Sequence, residues 1–125
     1  EKGFEAQVNS AHSDPRKTGS LYGIVNVYSP GPDVEPFLVQ VSENEEVFAY
    51  QPTAPSTDGQ WFDYHITVVN QTVTIRVDGK IQSQWTQPKD WPATGRSISS
   101  GTFGLQAHDP GCEVHYQDIQ VKVLD

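Results

Sequence analysis

Short runs of alternating apolar and polar residues, each ended by glycine, proline or asparagine, constrain this chain more than any other feature. The clearest run is residues 72–77, where Val73, Ile75 and Val77 fall on one side and threonine and arginine on the other. Asn70-Gln71 precedes this run and Asp78-Gly79 follows it, and such pairs turn a strand back on itself. The sequence therefore predicts an antiparallel meander of three strands, over residues 61–69, 72–77 and 80–85.

The same alternation predicts further strands elsewhere in the chain, whereas helical periodicity is nearly absent. We expect strands at residues 3–9, 21–28, 101–108 and 114–124, and a hairpin between residues 37–41 and 47–50. Strands with one apolar face must bury it against a second sheet. The pattern therefore predicts an all-β fold, an antiparallel β-sandwich or jelly roll, built as a single domain over residues 1–125.

Charge and composition exclude several classes of partner. The 125 residues include 16 acidic and 8 basic side chains, with a net charge of −8, so no basic surface is expected for nucleic acid or an anionic membrane. No apolar run approaches the roughly 20 residues that span a bilayer. The chain has one cysteine, and it has no methionine even at position 1, so we expect it to begin inside a longer precursor.

Two predicted strands carry polar side chains that suit sugar chemistry. Glu5, Gln7 and Asn9 share one face of the first strand, and Gln106 and His108 share one face of a late strand. If these strands are neighbours, a carboxylate, amides and an imidazole converge as an acid/base pair with groups that bind hydroxyls. The alternative, that both faces simply meet water, stays open on alternation alone.

Other side chains add to this set. Lys17 lies in the loop after the first strand and is a candidate for stabilising developing negative charge. Trp91 lies in a proline-rich loop and is a candidate platform for a sugar ring. His65 and His115 have no metal-ligand spacing to another histidine or cysteine.

Three longer motifs carry a resemblance to a known family. They are GFEAQV at residues 3–8, DPRKTGSLYG at residues 14–23 and SSGTFGLQAHDPG at residues 99–111. Together with VDGK at residues 77–80 and VHYQDIQV at residues 114–121, they resemble the 3-keto-disaccharide hydrolase domain family. The resemblance runs over most of the chain, and its weakest stretch is residues 30–54.

The resemblance implies a fold, an activity and a setting. It implies a concanavalin A-like jelly roll, a bacterial protein exported to the periplasm or beyond, and a hydrolase or lyase acting on 3-keto-glycosides such as 3-keto-disaccharides. A base removes the proton beside the ketone, the glycosidic oxygen leaves by elimination, and water then adds. The catalytic residues it implies are Glu5 and His108 as the acid/base pair and Lys17 as the enolate stabiliser, and the substrate-binding residues are Gln7, Asn9, Tyr22, Trp91 and Gln106.

One departure from the family and two alternatives accompany this interpretation. Domains of the family carry further strands before the GFE motif, so we expect this chain to be a C-terminal portion that other segments of a longer precursor complete. No cofactor follows from the sequence, and a divalent metal held by Glu5, His108 or an outside residue is left open. The alternative functions are a non-catalytic carbohydrate-binding module of the same fold and an adhesion or interaction domain.

Overall fold

The described residues of this chain form seven strands in a computed structural model. The structure describes residues 3–14, 16–23, 26–27, 46–47, 54–91, 97–106 and 108–124. Within these ranges there is no helix. The strands are β1 (Glu5–Ala6), β2 (Leu21–Tyr22), β3 (Asn26–Val27), β4 (Glu46–Val47), β5 (Tyr64–Val69), β6 (Thr72–Val77) and β7 (Lys80–Thr86). The predicted all-β class is confirmed.

The central meander is confirmed with the predicted order. Strands β5, β6 and β7 form a three-stranded antiparallel sheet. Asp78 and Gly79 join β6 to β7 with φ angles of 48° and 79°, the left-handed conformations that a two-residue turn of this kind requires. Asn70 also has a positive φ, at 52°, in the turn between β5 and β6. The local turn residues therefore set the register of this sheet.

The second sheet has the order β1-β2-β3-β4. The predicted strand over residues 21–28 is divided here, because β2 and β3 pair antiparallel with Leu21 opposite Val27. Gly23 follows β2 at a φ of 104°, in the left-handed region where a side chain is strained. Strand β4 pairs parallel with β3. Most of the predicted hairpin between residues 37–41 and 47–50 lies outside the described residues.

The core lies between the first strands and the meander. Buried Leu21 from β2 packs with Val73, Ile75, Trp85 and Ile98, and Phe4, Ala6, Tyr64 and Trp91 pack around them. Two hydrogen bonds also join the layers: the Tyr64 hydroxyl donates to the Gln7 carbonyl at 2.9 Å, and the Ser83 hydroxyl donates to the Gly19 carbonyl at 2.6 Å. The short strand β1 is therefore fixed to the meander by apolar packing and by main-chain acceptors.

The predicted strands near the C-terminus are not formed in this structure. Residues 101–106 and 113–124 have no strand ladder, and their side chains are exposed. A turn separates the two segments, in which Cys112 N–H donates to the Asp109 carbonyl at 3.1 Å and Gly111 has a φ of 89°. A segment of alternating apolar and polar residues forms a strand only where a neighbouring strand supplies main-chain hydrogen-bond partners. The described part of the chain supplies no such partners to these two segments.

An uncovered apolar surface results. On β5, Ile66 and Val68 lie opposite the buried Ile75 and Val73, yet they are 43% and 40% exposed. In the C-terminal segments, the exposed large apolar side chains are Phe103, Leu105, Val114, Tyr116, Ile119, Val121, Val123 and Leu124. The ring of His115 lies edge-on to Trp61 with 6.5 Å between centroids, which places this segment near the beginning of the meander.

Candidate active site

The paired strands β1 and β2 present Glu5 and Tyr22 on one face. Glu5 lies directly opposite Tyr22, and Ala6 lies opposite Leu21. Because successive side chains of a strand point to opposite faces, and Leu21 is buried in the core, Glu5 and Tyr22 point away from the core. Opposed residues have Cβ atoms about 5 Å apart, a separation that one sugar ring spans. Glu5 is partly exposed, as a group that must meet a substrate has to be.

Main-chain hydrogen bonds extend this pairing past the end of β1. The Gln7 N–H donates to the Ser20 carbonyl and the Gly19 N–H donates to the Gln7 carbonyl, both at 3.0 Å. Alternation then places the Gln7 side chain on the same face as Glu5. The predicted neighbours Glu5 and Gln7 therefore share a face, and Tyr22 joins them from the adjacent strand.

Asn9 organises the loop that follows β1. Its side-chain N–H groups donate to the carbonyls of Asp14 at 3.1 Å and Arg16 at 2.9 Å, and its side-chain oxygen accepts the His12 N–H at 3.0 Å. The main chain of Asn9 also pairs with Thr18, at 3.1 Å. The amide that the sequence suggested for substrate binding is engaged by the loop in this structure.

Arg16 is fixed over the ring of Tyr22. Its guanidinium carbon lies 4.2 Å from the ring centroid, a cation–π distance. Its Nε donates to the Asp14 carboxylate at 2.9 Å, and its Nη2 forms a second, charge-assisted bond to the same carboxylate. The side-chain hydrogen bond from Arg16 holds the pKa of Asp14 below its usual value of 3.8, against the opposing effect of burial. The guanidinium is therefore held in one orientation at the edge of the face that carries Glu5.

Lys17 occupies a different environment from its neighbour in sequence. It is only 6% exposed, and its Nζ donates to the His12 carbonyl inside the loop. Thr18 beside it is fully buried and accepts a hydrogen bond from the Ser56 hydroxyl at 2.6 Å. In this structure the Lys17 amine therefore supports the loop from within, and its predicted role toward an enolate stays a prediction.

The described part of the late motif forms no hydrogen bond or ion pair with these residues. His108 is exposed, and its Nδ1 lies 3.0 Å from the Asp109 carboxylate. Gln106 is exposed as well. In the portion of the chain that the structure describes, no hydrogen bond or ion pair joins His108 to Glu5. The structure thus brings Glu5, Gln7 and Tyr22 together and does not bring His108 to them.

The aromatic residues divide between core and surface. Trp85 is completely buried, as expected for core packing, and Trp91 packs edge-on against it with 5.0 Å between ring centroids. Trp91 is partly exposed, and its role as a sugar platform stays a prediction. Trp61 is 62% exposed and is the most accessible tryptophan of the described residues.

Neither a metal centre nor a membrane span is found among the described residues. Within those ranges no group of three or more histidine, cysteine, aspartate or glutamate side chains is placed to hold a metal ion. No helix in the same ranges is long and apolar enough to cross a membrane.

Comparison with known proteins places the chain in a family. The family model of the 3-keto-alpha-glucoside-1,2-lyase-like domain matches residues 1–122. The chain belongs to the 3-keto-alpha-glucoside-1,2-lyase-like domain family. This match confirms the family suggested by the sequence motifs, and it covers both the β1–β2 face and the late motif. Neither the curated proteins nor the solved structures gave a match to this member of the family.

The sequence placed the charges of the loop, Arg16 among them, near the face of the first strand, but it gave a role only to Lys17 and none to Arg16. Asp14 and Arg16 are two residues apart in a loop that leads directly into β2. The two side chains form a bidentate pair because the loop folds tightly between them. The side chain of Asn9 holds this fold by donating to the carbonyls of Asp14 and Arg16. The outward position of Tyr22 then decides where the guanidinium is held.

Proposed function

We propose that this domain cleaves 3-keto-glycosides by elimination. The observation that carries the proposal is the position of Glu5, a partly exposed carboxylate on the outward face of β1, directly opposite Tyr22, whose ring the fixed Arg16 covers. Membership of the 3-keto-alpha-glucoside-1,2-lyase-like family supports a sugar substrate that already carries a ketone.

The proposed reaction begins with proton transfer to Glu5. Its carboxylate takes the proton from the carbon beside the ketone, and the C–H electron pair forms a carbon–carbon double bond while the carbonyl π pair moves onto oxygen as an enolate. The ketone re-forms as the glycosidic C–O bond breaks, with its electron pair leaving on oxygen. His108 donates a proton to that oxygen, and addition of water to the double bond would give the free keto-sugar.

The remaining predicted residues have binding roles in this proposal. Gln7 and Gln106 orient sugar hydroxyls through their amides, and Tyr22 and Trp91 offer aromatic surfaces. Among the described residues no hydrogen bond or ion pair joins His108 to Glu5, so the proposal requires His108 to approach β1 in the active form.

The uncovered apolar surface supports a second part of the proposal. Further strands, supplied by other segments of the precursor, would pair with residues 101–106 and 113–124 and cover Ile66 and Val68, completing a concanavalin A-like jelly roll. Such strands would also place the late motif, at residues 99–111, beside the first motif, at residues 3–8. We include export from the cell in the proposal, on the family resemblance alone.

The experiment uses the full-length precursor and a 3-keto-glucoside that releases a chromogenic leaving group. We expect release by the unchanged protein, and at least about 100-fold slower release by Glu5→Gln, the usual contribution of a general base. Glu113→Gln is the matched control, since Glu113 is an exposed carboxylate whose partner is His115. Chelator treatment in parallel tests the metal: loss of release that added metal restores would place a metal in the reaction.

A binding module is the second candidate, favoured because no contact joins His108 to Glu5 among the described residues. A binding module would retain affinity for sugars measured by calorimetry and show no release from any keto-sugar. Release that Glu5→Gln leaves unchanged would contradict the catalytic role of Glu5.

A further inference from the structure

We propose that Arg16 binds the ketone oxygen of the substrate and holds the enolate that forms there. This inference rests on the proposed elimination. It assigns the stabilisation of the enolate to a residue at the edge of the face that carries Glu5. The loop carries two cations, Arg16 and Lys17, which differ in position, in hydrogen bonding and in exposure.

Position favours Arg16. Its guanidinium lies over the ring of Tyr22, and Tyr22 is the residue directly opposite Glu5. A base and an enolate-stabilising group that act on adjacent carbons of one sugar must border the same space, and Tyr22 connects the two residues: Arg16 covers its ring, and Glu5 is its partner across the strands. Lys17 is 6% exposed with its amine directed to the His12 carbonyl.

Hydrogen bonding leaves Arg16 with donors to spare. A guanidinium has five N–H groups. Asp14 accepts from Nε and Nη2, and the Tyr22 side chain also hydrogen-bonds the guanidinium, so the donors of the guanidinium outnumber the groups that engage them. The Arg16 side chain is 27% exposed, so a ligand can reach part of it while the edge bonded to Asp14 stays fixed.

The fixed geometry suits stabilisation of an oxyanion. A donor that is already oriented undergoes little reorganisation when negative charge develops, which is the main source of electrostatic catalysis. Asp14 and the ring of Tyr22 restrain the guanidinium from two sides. Asp14 is therefore a positioning residue, and it partly balances the charge of Arg16 before substrate arrives.

The step is balanced without any further reactant. The proton passes from the carbon beside the ketone to the Glu5 carboxylate, and the carbonyl π electrons move to the oxygen that Arg16 binds. No electrons are gained or lost overall, and the negative charge moves from Glu5 to the enolate oxygen beside the guanidinium.

Hydrogen exchange tests this step separately from elimination. The probe is a 3-keto sugar without a glycosidic leaving group, incubated with the full-length precursor in D2O and followed by NMR at the carbon beside the ketone. We expect exchange with the unchanged protein and a loss of about 100-fold in Arg16→Ala, the size seen when one oxyanion donor is removed. Arg76→Ala is the matched control, because Arg76 lies on β6 opposite His65 and away from this site.

Chemical rescue distinguishes direct participation from a structural role. Added guanidinium at low millimolar concentration should restore exchange in Arg16→Ala and have no effect on Glu5→Gln. Arg16→Lys should remain impaired, because an ammonium cannot form the bidentate pair with Asp14. Thermal unfolding of each variant identifies any that fail to fold, and for those Arg16→Lys supplies the comparison.

The outcomes separate the two proposals. If the unchanged protein catalyses neither exchange nor release, the proposed function fails. If it catalyses both and a folded Arg16→Ala or Arg16→Lys retains full exchange, the assignment of Arg16 is overturned while the proposed function stands. Greater loss of exchange in a Lys17→Ala variant than in Arg16→Ala would return the role to Lys17.

Discussion

Replacing Gly19 by alanine should destabilise this protein far more than the same change at Gly59. Both glycines hold the third position of a turn closed by a main-chain hydrogen bond, from Ser20 to Lys17 at 2.9 Å and from Gln60 to Thr57 at 3.2 Å. Both have positive φ, 92° at Gly19 and 76° at Gly59. The backbone strain of an alanine is therefore similar at the two positions, about 1–2 kcal/mol.

Packing separates the two positions. A Cβ on Gly19 would lie 2.5 Å from Cβ and 2.8 Å from Cγ of the buried Gln82, whereas a Cβ on Gly59 would have no atom within 4 Å. Cβ of Gln82 is attached directly to the β7 backbone, so relieving the clash requires movement of that strand. Overpacking of this kind costs about 1–3 kcal/mol. Added to the backbone strain, it lowers the free energy of unfolding by about 3 kcal/mol for Gly19→Ala, against about 1 kcal/mol for Gly59→Ala, which has the strain alone.

Urea denaturation followed by tryptophan fluorescence measures the difference. With a denaturant slope of about 1–3 kcal/mol per molar, a loss of 3 kcal/mol lowers the unfolding midpoint by at least about 1 M. We expect Gly59→Ala to shift the midpoint by less than half as much. Equal shifts in the two variants would refute the argument that the approach of Gly19 to β7 fixes the loop on the meander.

Three further predictions concern the core, the interlayer contacts and pH. Ile75→Val should lower the free energy of unfolding by about 1 kcal/mol, because Ile75 is completely buried, and the same denaturation assay measures it. Ser83→Ala should cost about 1–3 kcal/mol, because it leaves the Gly19 carbonyl without its buried donor, and a loss near zero would mean that water replaces the hydroxyl. Asp14 has a pKa held below 3.8 by its guanidinium partner, so its contribution to stability is complete above that pH and is lost as the pH falls through the lower folded-state pKa. Denaturation of the unchanged protein and of Asp14→Asn, measured at a series of pH values on both sides of 3.8, gives the difference in their free energies of unfolding. This difference should be constant above pH 3.8 and decrease below it. A difference that stays constant in acid would contradict the stabilising role of the Asp14–Arg16 pair.

The meander was predictable because its signals are local. Asp78-Gly79 turns the chain and Val73 and Ile75 mark the buried face, all within one short stretch of sequence. The division of residues 21–28 into β2 and β3 was not predicted, since a glycine in an apolar run is compatible with either a continuous strand or a turn.

The site was predictable only in part, because most of it depends on contacts between distant residues. Alternation placed Glu5 and Gln7 on one face, but the position of Tyr22 opposite Glu5 depends on the register between β1 and β2. Because the whole loop is polar, its sequence did not predict that Arg16 is accessible and Lys17 is buried. The exposure of each side chain depends on how the hydrogen bonds of Asn9 fold the loop. Among the residues that the structure describes, the predicted strands of the late motif have no neighbouring strand with which to form a ladder.

The turn between the two C-terminal segments gives the protein a built-in attachment point for a reporter group. Cys112 is the chain's only cysteine, and it is exposed at the end of that turn. A thiol-reactive spin label or fluorophore would therefore attach at one position without any engineered substitution. Its mobility would report directly whether the segments on either side become ordered when further strands or a sugar bind.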